Sequence, residues 1–136
     1  MPSFILNIDV PDIEMGTAFY TAAFDLSVGR RFDRSFVELL GSETKIYLLE
    51  KQAGTSISPN GGDVRRYERH WSPMHPDFIV KHMDEAIAKV VDAGATQEGE
   101  TCEAPYGKLA MFADPFGHGF CLIEFNSQGY DALIRS

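Results

Sequence analysis

Cysteine is scarce in this 136-residue chain: its two cysteines, Cys102 and Cys121, fit neither a disulfide framework nor a metal-knuckle spacing. Both are expected to stay thiols in a reducing compartment. No apolar run approaches the roughly 20 residues a bilayer-spanning helix needs. The N-terminal residues also lack the basic start and apolar core of a signal peptide, so a cytoplasmic location is expected. Basic residues are few, 12 Lys and Arg against 20 Asp and Glu, and the net charge of -8 argues against nucleic-acid or anionic-membrane partners. The 44% hydrophobic content suffices for one sizeable core at this length.

What the chain does hold is a repeat. In Phe4 to Val10, the residues Leu6, Ile8 and Val10 alternate with Ile5, Asn7 and Asp9, the period-2 pattern of a strand with one face on a core. Seventy positions later Phe78 and Val80 alternate with His75, Asp77 and Ile79, and Ile13, Gly16, Tyr20 and Ala23 fall on Met83, Ala86, Val90 and Ala93. Each copy reads as a strand, an amphipathic helix and three more strands. In the first, Asp12 is offered as an N-cap to a helix over about 12–25, followed by strands at Leu26 to Arg31, Ser35 to Leu40 and Thr44 to Glu50. In the second, a strand at His75 to Lys81 leads to a helix from Asp84 to Ala93 closed by Gly94. Strands at Thr96 to Cys102, Leu109 to Ala113 and Phe120 to Phe125 then follow. The division is module one 3–50, linker 51–72, module two 73–126 and tail 127–136, all in a single domain, with a terminal helical turn expected in the tail. Arg65, Arg66, Arg69 and His70 in and near the linker are read as a solvated or dimer-facing basic stretch, with contact to an anionic ligand as the alternative.

This doubled unit, with Phe19-Tyr20 in the first helix and Asp114-Pro115-Phe116-Gly117-His118 before the last strand, resembles the vicinal oxygen chelate superfamily of glyoxalases, bleomycin-resistance proteins and extradiol dioxygenases. The resemblance implies an α+β fold of two βαβββ modules, with curved mixed sheets around a cup, helices on the convex face, and homodimers. The core set is then Leu6, Ile8, Val10, Ile46, Leu48, Phe78, Val80, Phe120 and Leu122. The alternate set faces the cup: Ile5, Asn7, Asp9, Tyr47, Leu49, His75, Asp77, Ile79, Cys121, Ile123 and Phe125. Such a bowl, apolar with sparse polar groups, suits a small organic ligand of aromatic or cationic character.

The resemblance also implies where a metal would sit, at Ile5, Tyr47, His75 and Cys121. Only His75 is a routine ligand there, so no complete metal site and no cofactor are expected. A zinc site of His75, Cys121 and Asp77 is the alternative. Glu124 enters the cup only if a bulge at Gly119 to Glu124 shifts the register, and otherwise Glu50 and Glu124 are read as exposed strand ends. Asp77 is placed to orient His75 as a base, or both hydrogen-bond structurally. Cys121 is read as a packing residue, with a nucleophile as the alternative. Tyr47 either meets a ligand or plugs the bowl; Cys102 is an edge-strand residue, and Tyr106, His118 and Tyr130 are turn or tail residues. The functional expectation is therefore a metal-independent binder of a small molecule. The alternative is a metal-dependent lyase, isomerase or dioxygenase using His75.

Overall fold

Both copies of the repeat fold as a strand, a helix and three strands. The computed structural model describes residues 1–135, so Ser136 of the predicted tail lies outside the described residues. The first copy comprises β1 (Leu6–Val10), α1 (Ile13–Phe24), β2 (Ser27–Asp33), β3 (Phe36–Leu40) and β4 (Ile46–Glu50). The second comprises β5 (Asp77–Ile79), α2 (Met83–Ala93), β6 (Thr96–Ala104), β7 (Gly107–Ala113) and β8 (Gly119–Phe125), followed by a 3-10 helix at Gly129–Leu133. The fold is α+β, with two four-stranded mixed sheets ordered β1-β4-β3-β2 and β5-β8-β7-β6. In each, the first strand of the module runs parallel to its last, as a connection through a helix allows. The chain forms two compact units, Met1–Glu68 and a second beginning at Arg69.

In the first unit the alternation sorts Val10, Ile46 and Leu48 into the core as expected, whereas Leu6 and Ile8 are only half-buried and Tyr47 of the opposite set is buried. Val10, Val37, Leu39, Ile46 and Leu48 are buried beside the α1 residues Ile13, Phe19, Tyr20 and Ala23. A Cβ on Gly16 would stand 2.9 Å from both γ-methyls of Val10, so the missing side chain sets how closely α1 lies on β1. In the second unit Phe112, Phe120 and Leu122 are buried with Met83 and Val90 of α2, and the Phe112 and Phe120 rings stack 5.3 Å apart.

The helix starts carry one device twice. The backbone N–H of Ile13 donates to Glu50 Oε2 at 2.9 Å, and that of Met83 donates to Glu124 Oε1 at 2.8 Å. A carboxylate at a helix N-terminus satisfies an orphan donor and meets the positive end of the helix dipole. Asp12 adds a second cap on α1 by accepting from Met15, whereas His82 at the corresponding place on α2 makes no side-chain cap bond. This corrects the reading of Glu50 and Glu124 as exposed strand ends. The pairing of β7 with β8 runs unbroken from Gly107 opposite Phe125 to Ala113 opposite Gly119, so no bulge turns Glu124 to the other face.

Most strand ends shift by one or two residues from the expected bounds, β5 for instance ending at Ile79 rather than Lys81 and β6 running on to Ala104, and two of the changed starts have a plain cause. The fifth strand begins at Asp77 rather than His75, because Pro76 has no N–H to give a ladder; its carbonyl instead accepts from Cys121 N at 3.0 Å. The second helix begins at Met83, one residue before the expected Asp84, where Glu124 anchors it. No helix among the described residues is long and apolar enough to cross a membrane.

Candidate functional site

On the face of the first sheet turned away from α1, alternation brings together Asn7, Asp9, Phe36, Glu38, Tyr47 and Leu49, joined by Arg30 and Phe32 of β2. Glu38 is the residue that sequence reasoning missed. It is only 3% exposed, lies opposite Tyr47, and accepts from the Tyr47 hydroxyl at 3.0 Å. Arg30 donates to it through Nε at 3.1 Å and Nη2 at 2.7 Å, a two-pronged pairing, and Lys45 Nζ lies 3.7 Å away. Arg30's hydrogen bonds are the main cause that holds the Glu38 carboxyl down at about 2. A lone carboxylate in the apolar run Phe36-Val37-Glu38-Leu39-Leu40, in step with Phe36, was the available signal.

Aromatic rings surround this network. Phe32 and Phe36 have centroids 4.6 Å apart, Phe36 and Tyr47 5.6 Å, and Phe32 and Tyr47 6.3 Å in a stacked arrangement. The Arg30 guanidinium lies 4.9 Å from the Phe32 ring centre, within cation–π range. Phe32 remains 46% exposed and Leu49 half-buried, so the group offers an apolar shelf over a fully paired polar base. Tyr47 is therefore committed to Glu38 and its ring neighbours. Asn7 is exposed, and Asp9 accepts from Arg65 Nε at 2.8 Å.

That last pair belongs to a pattern in which the predicted basic stretch is spent locally. Arg65 also donates to Thr55 and Ser56, and Arg66 makes two bonds to Asp63. In the second unit Arg69 makes two to Glu98, and the His70 and His118 rings meet edge to face at 5.4 Å. Guanidinium groups already paired with carboxylates make a poor anion receptor.

On the face of the second sheet turned away from α2 stand Asp77, Ile79, Cys121, Ile123 and Phe125, with His75 just before the strand. His75 Nε2 lies 3.2 Å from Asp77 Oδ1, a contact that orients the imidazole. Asp77 pairs directly with Cys121 across the strands. One donor atom from each of His75, Asp77 and Cys121 lies within 4.8 Å of the others. Cys121 is 5% exposed, and burial, reinforced by the charge of Asp77, pushes its thiol up to about 11. This counts against the nucleophile alternative, since the thiolate is the reactive form. Ile123 is almost fully buried. Phe125 packs against Tyr130 at 4.8 Å and Tyr106 at 6.3 Å, tying the 3-10 helix to the end of β8. Cys102 is exposed on the edge strand β6.

Residues 5–123 match the model of a glyoxalase-like domain. Two curated relatives are anthracycline biosynthesis proteins: DnrV of Streptomyces peucetius, 34% identical over 80 residues, and DauV of Streptomyces sp. strain C5, 33% identical over 72. These matches cover 59% and 53% of this chain but only 26% and 24% of the relatives, so the chain spans about a quarter of their length. Among solved structures, a mutant of the fosfomycin resistance protein FosX from Listeria monocytogenes, complexed with Mn(II) and 1S,2S-dihydroxypropylphosphonic acid, superposes with a TM-score of 0.71. It is 19% identical and covers 94% of each chain. A glyoxalase/bleomycin resistance protein/dioxygenase family enzyme from Burkholderia phytofirmans PsJN gives 0.66 at 18% identity, covering 90% of this chain and 97% of its own. At these identities the structures speak for the fold.

Proposed function

Because the chain belongs to the glyoxalase-like domain family of the vicinal oxygen chelate superfamily, we propose that it binds a small planar aromatic molecule on the helix-free face of its first sheet. The observation that carries the reading is the shelf of Phe32, Phe36 and Leu49 held over the Tyr47–Glu38–Arg30 network. Each polar group in that base is paired, so the rings are held in place before a ligand arrives and little ordering cost remains. Apolar walls supply affinity, and offset ring contacts add about 0.5–1.5 kcal/mol each. Arg30, whose side chain is 63% exposed, stands at the rim to meet a ring carbonyl or phenolic oxygen. A net charge of -8 favours ligands that also carry an amine. The match to two anthracycline biosynthesis proteins supports a fused-ring ligand in particular. Homodimer formation and a cytoplasmic location accompany this reading as proposals.

The family places for a hard metal such as the Mn(II) of that FosX complex are poorly furnished here. Ile5 has no donor, the Tyr47 hydroxyl is spent on Glu38, and Cys121 offers a soft thiol, which leaves His75 as the routine ligand among the four. The residues do not fit that ion, and no step is derived through it. A second reading, a lyase, isomerase or dioxygenase using His75, draws on the 3.2 Å contact between His75 and Asp77. It would gain if His75→Ala abolished turnover of a substrate with adjacent oxygens while leaving the fold intact.

The test is an equilibrium titration with 1,8-dihydroxyanthraquinone, a planar fused-ring probe. Saturable binding with Kd below about 100 µM, or about -5.5 kcal/mol, is expected. Absence of saturation at the probe's solubility limit would overturn the reading.

A further inference from the structure

The polar base of the aromatic shelf holds more positive charge than it cancels. Glu38 Oε2 lies 2.7 Å from Arg30 Nη2 and 3.7 Å from Lys45 Nζ, so two cations stand at one oxygen of one carboxylate. Resting on the reading of this face as the site of an aromatic ligand, we infer that the ligand carries a carboxylate on its ring and that Lys45 is the residue that selects it.

Counting charges locally shows the surplus. The hydrogen bonds from Arg30 hold the Glu38 carboxyl at about 2, so near neutral pH it carries its full negative charge, which one guanidinium balances. Arg65, Arg66 and Arg69 each have a carboxylate of their own in Asp9, Asp63 and Glu98, whereas Arg30 and Lys45 share Glu38. One positive charge is left over. Its seat is Lys45, because 3.7 Å exceeds hydrogen-bond distance and the ammonium donors are uncommitted to Glu38. A ring carboxylate is ionised throughout the neutral range, whereas an ordinary phenol, with a pKa of about 10, is not. The net charge of -8 acts on the encounter over about a Debye length; these two cations act at contact.

Backbone geometry brings both cations to the shelf. The β2–β3 register shifts between Val28 and Arg31, and a bulge of this kind re-aims side chains. A Cβ on Gly29 would stand 2.6 Å from Glu38 Oε1, so the missing side chain lets the Arg30 backbone N–H donate to that oxygen at 3.2 Å. The guanidinium spends Nε and Nη2 on Glu38 and lies over Phe32, which leaves the Nη1 donors outside that pairing. Lys45 precedes Tyr47 by two residues, so alternation puts its side chain on the same helix-free face, where its approach to Glu38 finds it. With side chains 63% and 54% exposed, Arg30 and Lys45 are open to a ligand's carboxylate, and the guanidinium, already fixed, loses little freedom on meeting it.

The experiment titrates the full chain at pH 7 with anthraquinone-2-carboxylate and with its neutral counterpart, anthraquinone-2-carboxamide. The carboxylate should bind about tenfold more tightly, as a charge-assisted contact allows, and the preference should shrink as salt is added. Lys45→Met keeps the apolar stem of an exposed side chain and should bring the two affinities to within about twofold, whereas Lys45→Arg should keep the preference. Lys51→Met removes the same charge six residues further along the chain, roughly 20 Å away in extended backbone, and should leave the preference intact. Equal or tighter binding of the carboxamide, a preference that survives Lys45→Met, or its equal loss in Lys51→Met would overturn this inference and leave the shelf standing. Failure of both probes to saturate would overturn the shelf and the inference with it.

Discussion

Phe32→Ala gives the sharpest test of the shelf. A phenylalanine side chain presents about 200 Å² of surface. With Phe32 46% exposed, about 90 Å² is free for a ligand to cover. At about 25 cal/mol per Å² that area contributes up to about 2 kcal/mol, which is a loss of about 10–30-fold in affinity for the anthraquinone probe. The ring already rests on Phe36 at 4.6 Å, so the variant should lose some stability yet keep its fold, checked by circular dichroism before titration. Met15→Ala is the control, because Met15 is 58% exposed on α1, remote from the shelf face of the same sheet. It should bind the probe as the unaltered protein does. Equal losses in both variants, or no loss in Phe32→Ala, would refute the reasoning.

Three further outcomes are expected. Arg30 holds the Glu38 carboxyl at about 2, below its ordinary value, so its stabilisation is present above the ordinary glutamate range and is lost as pH falls toward about 2. The melting temperature of the unaltered protein should exceed that of Glu38→Gln at pH 6, the gap closing with acidification; a gap independent of pH would contradict this. Glu124→Ala leaves the Met83 amide without its carboxylate and should cost about 1–2 kcal/mol in urea denaturation, more than Glu50→Ala, because only α1 retains a second cap in Asp12. The reverse order would remove the distinction between the two helix starts. Iodoacetamide at pH 8 should modify exposed Cys102 well before Cys121, since a thiol pushed up to about 11 is only about 0.1% thiolate there; peptide mapping that finds Cys121 modified first would contradict it.

The fold was legible because hydrophobic alternation and helical spacing recur at one offset, and local patterns of that kind survive into the folded chain. Val10, Ile46, Leu48, Phe120 and Leu122 are buried as their alternation requires, and the α1 boundaries fall within a residue of the reading. The site was legible in part. Alternation placed Asn7, Tyr47, Asp77 and Cys121 on helix-free faces, but whether such a residue is available depends on partners distant in sequence. Asp9 is engaged by Arg65, 56 residues away, and Tyr47 by Glu38 on a neighbouring strand. Glu38 escaped because its burial rests on Arg30 and Lys45 converging across strands, which no single segment reveals. The roles of Glu50 and Glu124 were hidden for the same reason: a strand end looks exposed until the helix start 37 or 41 residues away is folded onto it.

The central claim is most directly tested by following backbone amide and aromatic-ring resonances during titration with 1,8-dihydroxyanthraquinone. The shelf predicts saturable shifts at Asn7, Phe32, Phe36 and Leu49, with the exposed residues of α1 unmoved. Shifts confined to α1, or none at saturating probe, would contradict it.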